Sequence, residues 1–254
     1  MKRPKRERYL ILSDFHVPDH DIKTLELILK FITFYQPDFV DILGDFVNFT
    51  KVSKFDQDPY YKTDLADEIK EGRGILNQIV KASGKAQISW YEGNHEVRLT
   101  KYLGRNASVL ANLENDNEYV ISIPHLFELK KLGIKWIPSY KVVQRHGVSF
   151  FHGLAVRIKS GFSAHANIDK FGTSGFTGHT HRLALITRTQ SGTTRFWAET
   201  GSLCNHQPNP VYTVSPDWTQ GFAVAVYSPL TKEFYPQIVP IVNHSFVFNN
   251  KLFS

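Results

Sequence analysis

Seven side chains with metal-ligating chemistry stand in short polar clusters along this 254-residue chain: Asp14 and His16, Asp45, Asn94, His152, then His179 and His181. Two carboxylates, one amide and four imidazoles are more than one transition ion takes. They suit two divalent ions that share a bridging carboxylate. Mixed nitrogen and oxygen ligation fits Mn²⁺ first, and Fe, Zn²⁺, Ni²⁺ or Co²⁺ as well, whereas Ca²⁺ and Mg²⁺ prefer oxygen alone. No cysteine joins the set, which argues against a purely structural zinc site. Side chains at i and i+2 of an extended segment share a face, so a bend after the segment lets His179 and His181 converge. Such a pair is also an ordinary surface feature, and only the other clusters give it weight.

Elements outlined by the patterning must bring these clusters together. YLILSDFH (9–16), DFVDILGDF (38–46) and QISWYEGNHE (87–96) are apolar runs that end in polar residues, the pattern of buried strands. Between them, 21–35 shows helical spacing, with Asp21 placed to cap it and Pro37 to stop it. Residues 63–84 read as a second helix closed by Gly84, weakened in the middle by Gly72 and Gly74. The order βαβαβ argues for parallel strands. Residues 97–145 are mixed in pattern. VSFFHG (148–153) reads as a strand, 160–170 as a helix, and GTSGFTGHTH leads into a β-rich remainder. There, 183–201 reads as a hairpin turning at Gln190-Ser191-Gly192, 221–229 as a strand, and 233–242 as an edge strand because of its prolines. Five expected strands thus end in Asp, His or Asn, and in open α/β sheets ligands bind beyond the carboxyl ends of strands.

Composition sets outer bounds. With 42% hydrophobic and 21% charged residues, the chain has material for one core, expected over 9–254 behind a basic tail at 1–8. No stretch approaches the ~20 apolar residues of a membrane span, and the first apolar run breaks at Ser13-Asp14, unlike a signal peptide. The single cysteine, Cys204, excludes an internal disulfide and points to a reducing, cytoplasmic setting. Of the +6 net charge, most comes from Lys2, Arg3, Lys5, Arg6 and Arg8, opposed only by Glu7. The remainder is near neutral, which counts against a long DNA groove.

At these residues the chain resembles the calcineurin-like metallophosphoesterase family, in its small single-domain bacterial and phage form. The family pattern is D-x-H, G-D, G-N-H-[D/E], H, then G-H-x-H. Here it reads Asp14-Phe15-His16, Gly44-Asp45, Gly93-Asn94-His95-Glu96, His152-Gly153 and Gly178-His179-Thr180-His181, in order and without substitution. The resemblance implies an α/β (α+β) fold: a four-layer β-sandwich flanked by helices, with two metals at its rim. It implies Asp14, His16 and His181 on one metal, Asn94, His152 and His179 on the other, and Asp45 bridging. It implies hydrolysis of a phosphate monoester or diester by a hydroxide shared between the metals, with His95 giving the departing alkoxide its proton.

Around this set, Glu96 reads either as a holder of the His95 tautomer or as a surface residue starting a helix. Arg98 and Arg182 read as phosphate clamps or ordinary helix and salt-bridge residues, and His165 as a further site contact. His20, His125, His146, His206 and His244 read as surface or satisfied core. Glu199-Thr200-Gly201-Ser202 resembles a stretch that returns the chain to the metal rim. Phe46, Phe49, Phe55, Tyr60 and Tyr61 read as a minor core or as a platform for a base. Where the family's protein phosphatases carry G-D-x-V-D-R-G, this chain has Gly44-Asp45-Phe46-Val47-Asn48-Phe49-Thr50, which lowers the protein-phosphatase reading. A nucleotide or nucleic-acid phosphoester is the preferred substrate. A non-catalytic interaction scaffold on the same fold is the rival, opposed by the complete ligand set and His95.

Overall fold

Strand β1 (Glu7–Leu12) buries Tyr9, Leu10, Ile11 and Leu12 completely, so both of its faces are covered. The computed structural model describes residues 5–55, 60–115, 117–139, 141–206 and 216–254. Within them, Lys5 and the Arg8 N–H fasten the basic start of the chain to Asp38, and residues 1–4 lie outside the described set. α1 (Ile22–Tyr35) begins where Asp21 accepts the Thr24 N–H at 3.0 Å and ends at Gln36 in left-handed conformation. β2 (Phe39–Ile42), α2 (Leu65–Ser83) and β3 (Gln87–Tyr91) complete the βαβαβ order. α2 runs unbroken through its glycines. A Cβ at Gly72 would lie 2.7 Å from the Phe127 ring, so that glycine serves a close approach.

The mixed stretch holds α3 (Val97–Asn106), a small hairpin of β4 (Glu114–Asn115) and β5 (Glu118–Tyr119), α4 (Ile123–Leu126), α5 (Leu129–Leu132), β6 (Ile134–Ile137) and β7 (Val143–Arg145). Elements this short complete too few turns or alternations to show a period. β8 (Val148–Phe150), α6 (Phe162–Phe171) and β9 (Ser174–Thr177) follow. β10 (Leu183–Gln190) and β11 (Thr193–Thr200) form the expected hairpin, turning at Ser191 and Gly192 with φ of 49° and 76°. Positive φ at both central residues matches the strand twist. β12 (Gly221–Ser228) and β13 (Glu233–Pro240) come next, then a hairpin of β14 (Phe246–Phe248) and β15 (Lys251–Phe253) that the sequence patterning does not reveal.

Two sheets result, a six-stranded one ordered β13-β12-β1-β2-β3-β6 and a five-stranded one ordered β10-β11-β9-β8-β7. β1, β2, β3 and β6 are parallel, and β13 with its prolines takes the edge. Tyr9, Ile11, Tyr91 and Ala223 face the second sheet and meet Phe150, Phe176 and Ala198. Leu10, Leu12, Val40 and Trp90 face the other way, into a core with Leu27, Ile28 and Phe31 of α1 and Ile75, Leu76 and Ile79 of α2. Phe246, Phe248 and Phe253 pack edge-on against Phe31. α6 covers the outer face of the second sheet through Ala164 and Ile168 against Trp197. The layers are therefore helix, sheet, sheet, helix. Between the sheets, Arg145 donates to Asp41 at 2.6 Å and to Ser89, while the Tyr91 hydroxyl donates to Asp41 at 3.1 Å. Among the described residues, no helix is long and apolar enough to cross a membrane.

Candidate metal centre

The polar clusters occupy the loops that leave β1, β2, β3, β8 and β9 at their carboxyl ends. Asp14, His16, Asp45, His179 and His181 all hold left-handed backbone, with φ between 47° and 70°. A non-glycine residue pays about 1–2 kcal/mol there, so the surroundings must enforce it. They do so by lacing loop to loop. The Asp14 N–H donates to Gly44 O at 3.1 Å, the His16 N–H to Asp45 O at 3.0 Å, and the Leu203 N–H to Asp14 O at 3.0 Å. The motif glycines serve close approach: a Cβ at Gly178 would lie 2.5 Å from Asp14 Oδ2, and one at Gly44 2.8 Å from His152 Nδ1.

Both carboxylates accept a backbone N–H and turn an oxygen inward. Asp14 accepts the His179 N–H through Oδ2 at 2.9 Å and Oδ1 at 3.2 Å, and Oδ1 also lies 3.4 Å from His181 Nε2. Asp45 Oδ1 accepts the His95 N–H at 2.8 Å, and Oδ2 lies 3.2 Å from His152 Nε2 and 4.0 Å from His16 Nε2. Ring nitrogens converge as well: His16 Nε2 is 3.0 Å from His181 Nε2, and His179 Nδ1 is 3.2 Å from His152 Nε2. Asn94 Oδ1 sits 3.0 Å from His152 Nε2. Among the described residues three overlapping groups emerge, Asp14 with His16 and His181, Asp45 with His152 and His179, and Asp45 with His16 and His95, and Asp45 Oδ2 lies between the first two.

Outer partners aim the rings. His152 Nδ1–H donates to Leu43 O at 2.6 Å and His16 Nδ1–H to Asn48 Oδ1 at 3.1 Å, which turns both Nε2 lone pairs into the cluster. Burial opposes charge on these rings, yet Asp45 holds His152 up to about 9 and Asp14 holds His181 up to about 10. Burial and the neighbouring His152 push His179 down to about 4. Buried carboxylates that draw protons onto adjacent imidazoles mark a pocket built to enclose positive charge. Converging nitrogen lone pairs and inward carboxylate oxygens are the donor set of transition-metal ions.

Glu96 takes neither role expected of it. It is fully buried, and its Oε1 accepts from Phe46 N and Val47 N at 2.7 and 3.3 Å. Its Oε2 accepts from Gly93 N and Asp45 N at 2.8 and 3.0 Å. It locks the Asp45 loop to the loop after β3, rather than steering His95 or facing solvent. Buried Glu68 of α2 continues the task by accepting the Phe49 N–H. His95 is steered instead by Asn48, a residue sequence reasoning treats only as a departure from the phosphatase motif. His95 Nδ1–H donates to Asn48 O at 3.0 Å, and Arg98 Nη2 donates to His95 Nε2 at 2.9 Å.

Arg98 therefore lies at the centre, bonded to His95 and to Asn48 O. Arg182, expected as a substrate contact, is a strut: its Nε pairs with Asp217 at 2.7 Å and its Nη1 and Nη2 hold Arg157 O and Ile158 O. His165 is exposed on α6, whose buried residues face Trp197 rather than the ligand loops. His146, His206 and His244 find partners in Glu7, Ser202 and Asp21. The 199–202 stretch does return to the rim, where Thr200 Oγ1 meets Ser13 Oγ at 2.7 Å, while Glu199 accepts from Gly161 N and Ala164 N. Phe46 and Phe49 are fully buried, whereas Phe55 and Tyr60 are exposed. Trp218, unmarked by any motif, sets its ring 4.6 Å from that of His181.

A sheet sandwich with metal-ligating loops at one rim defines a class, and the model of that class matches. The calcineurin-like phosphoesterase model, Metallophos, covers residues 7–226, and the chain belongs to this family. It is similar to the Gene 54 proteins of Mycobacterium phages L5 and D29. The first is 27% identical over 263 residues, spanning 97% of this chain and 98% of the relative. The second is 26% identical over 254 residues, spanning 94% and 96%. Similar solved structures include vacuolar protein sorting 29 from Cryptosporidium parvum, with TM-score 0.48, 13% identity and coverage of 98% and 95%. Another is YfcE, a phosphoesterase from E. coli, with TM-score 0.41, 10% identity and coverage of 91% and 98%.

Proposed function

We propose that the chain hydrolyses a phosphate ester of a nucleotide or nucleic acid, using two divalent transition-metal ions with Mn²⁺ foremost. The observation that carries this reading is the position of Asp45 Oδ2, 3.2 Å from His152 Nε2 and 4.0 Å from His16 Nε2. One oxygen there serves both ligand groups. Asp14, His16 and His181 would hold one ion, Asn94, His152 and His179 the other, and Asp45 both. When bound, such a pair would bring the pKa of water down to about 7 and neutralise charge on phosphate oxygens.

The chain's own residues do the rest. Asn48 O holds the Nδ1–H of His95, and burial keeps the ring well below its ordinary pKa, so Nε2 is unprotonated at rest and would take a proton from water before passing it to the departing oxygen. Arg98 covers that nitrogen in the resting arrangement. A phosphate oxygen that draws the guanidinium away gains a charged donor and exposes Nε2 in one movement.

The test is hydrolysis with Mn²⁺ across mononucleotides, cyclic nucleotides, single-stranded and double-stranded DNA, beside an aryl phosphate and an aryl diester. His95→Asn should keep its metal and lose about 10²–10⁴-fold on alkyl-like leaving groups, with less loss on aryl esters. Unchanged rates on every ester remove His95 from its role. No metal uptake and no turnover by the native chain would favour the scaffold reading.

A further inference from the structure

The loop that leaves His152 runs exposed through residues 154–160, Leu-Ala-Val-Arg-Ile-Lys-Ser. Leu154, Val156 and Ile158 are 56%, 53% and 83% exposed and alternate with Ala155, Arg157 and Lys159. No acidic residue stands between His152 and Asp169. Water alone would fold such aliphatics inward. Backbone tethers hold the loop out: Arg182 donates to Arg157 O and Ile158 O, and Ser163 Oγ accepts the Arg157 N–H at 3.0 Å. The same Arg182 pairs with Asp217, next to Trp218. The partly buried indole lies 4.6 Å from the His181 ring and 5.6 Å from that of His206, and the Thr219 N–H donates to His181 O at 2.8 Å. One arginine therefore straps two cations, three exposed aliphatics and an indole onto the rim of the metal centre.

We infer that this rim is a track for single-stranded nucleic acid. Trp218 stacks the base beside the scissile phosphate, and Arg157 and Lys159 take the flanking phosphates. The placement of the scissile phosphate rests on the phosphoester reading above; the track itself rests on the rim. Aromatic faces bind any unpaired base, and cations neutralise the backbone. An acidic peptide would satisfy Arg157 and Lys159 but has no use for an indole face. A duplex keeps its base faces stacked, so the rim selects single strands.

The test is fluorescence anisotropy in EDTA and low salt with a labelled oligo-dT of about twelve residues, a length such surfaces span. The native chain should bind it. Trp218→Ala should weaken binding about 5–150-fold, the equivalent of about 1–3 kcal/mol per stacked base. Trp218→Phe, which keeps a ring, should retain most of the affinity and rules out misfolding as the cause. Replacing Arg157 and Lys159 together by Ala should lower the slope of log K against log salt by about 1.4. Absence of oligo-dT binding overturns the inference, as do equal affinities for all variants, equal displacement by poly-glutamate, or a preference for duplex. Turnover of an aryl diester with Mn²⁺ separates the two readings. If it persists without oligo-dT binding, only the track falls; if binding stands without turnover, only the hydrolase reading falls.

Discussion

Asp41 and Asp45 are both buried, one in β2 and one on the loop that follows it, and their surroundings are opposites. Asp41 meets the Arg145 guanidinium at 2.6 Å and the Tyr91 hydroxyl at 3.1 Å, so donors on the chain itself satisfy it. Asp45 turns Oδ2 toward imidazole nitrogens that are themselves lone-pair donors. The first cluster is complete as folded and ties the two sheets together. The second is complete only with added positive charge, whether protons on His152 and His181 or metal ions. A buried carboxylate marks a functional site when its neighbours compete with it for cations, and a structural one when they supply them.

The comparison can be broken from either side. Asp45→Ala should abolish binding of one ion, weaken the other, and cost about 10³-fold or more in turnover, with little loss of stability; metal analysis and hydrolysis read this. Arg145→Ala should do the reverse. It strands Asp41 between the sheets and should cost about 3–5 kcal/mol in urea unfolding while turnover per folded molecule holds. An Arg145 variant that loses turnover but no stability would collapse the distinction. Glu96→Gln sharpens it, because an amide NH₂ would face the N–H groups of Gly93 and Asp45. Metal affinity should fall about 10–100-fold, read by calorimetric titration, without loss of any ligand.

The smallest effect lies away from both clusters. Asp21→Ala should cost about 1 kcal/mol by removing the α1 cap. Burial opposes ionisation of Asp21, but hydrogen bonds from Gln220, the Thr24 N–H and His244 win and hold its carboxyl below the ordinary range. Its stabilisation is therefore full above about pH 4, the unfolded value, and is lost as pH falls through the folded one. Urea midpoints of the native chain and the variant should converge as the pH falls through the lowered folded value of Asp21.

Much of the fold was legible because the signals were local. The Asp21 cap, the two-sided apolar runs of β1 and β2, and the Ser191-Gly192 turn each depend on neighbours within a few positions. β6 and the β14–β15 hairpin were not legible, since runs so short show no period and are held by the Trp90–Trp136 and Phe31 contacts instead. The ligand set could be read from residue type at strand ends. The supporting shell could be read only as open alternatives: Glu96 reads as a holder of His95 or a helix-start glutamate, and Arg182 as a phosphate clamp or a salt-bridge residue, of which its pairing with Asp217 bears out the second.

The sequence by itself determined the identity of the donors and the strands that deliver them, because residue chemistry and alternation are written along the chain. Only the tertiary structure decided which oxygen of Asp45 faces the pocket, that Asn48 aims both His16 and His95, and that Arg182 straps a loop instead of gripping substrate. Those outcomes turn on hydrogen bonds between residues tens of positions apart, whose geometry exists only once the sheets have packed.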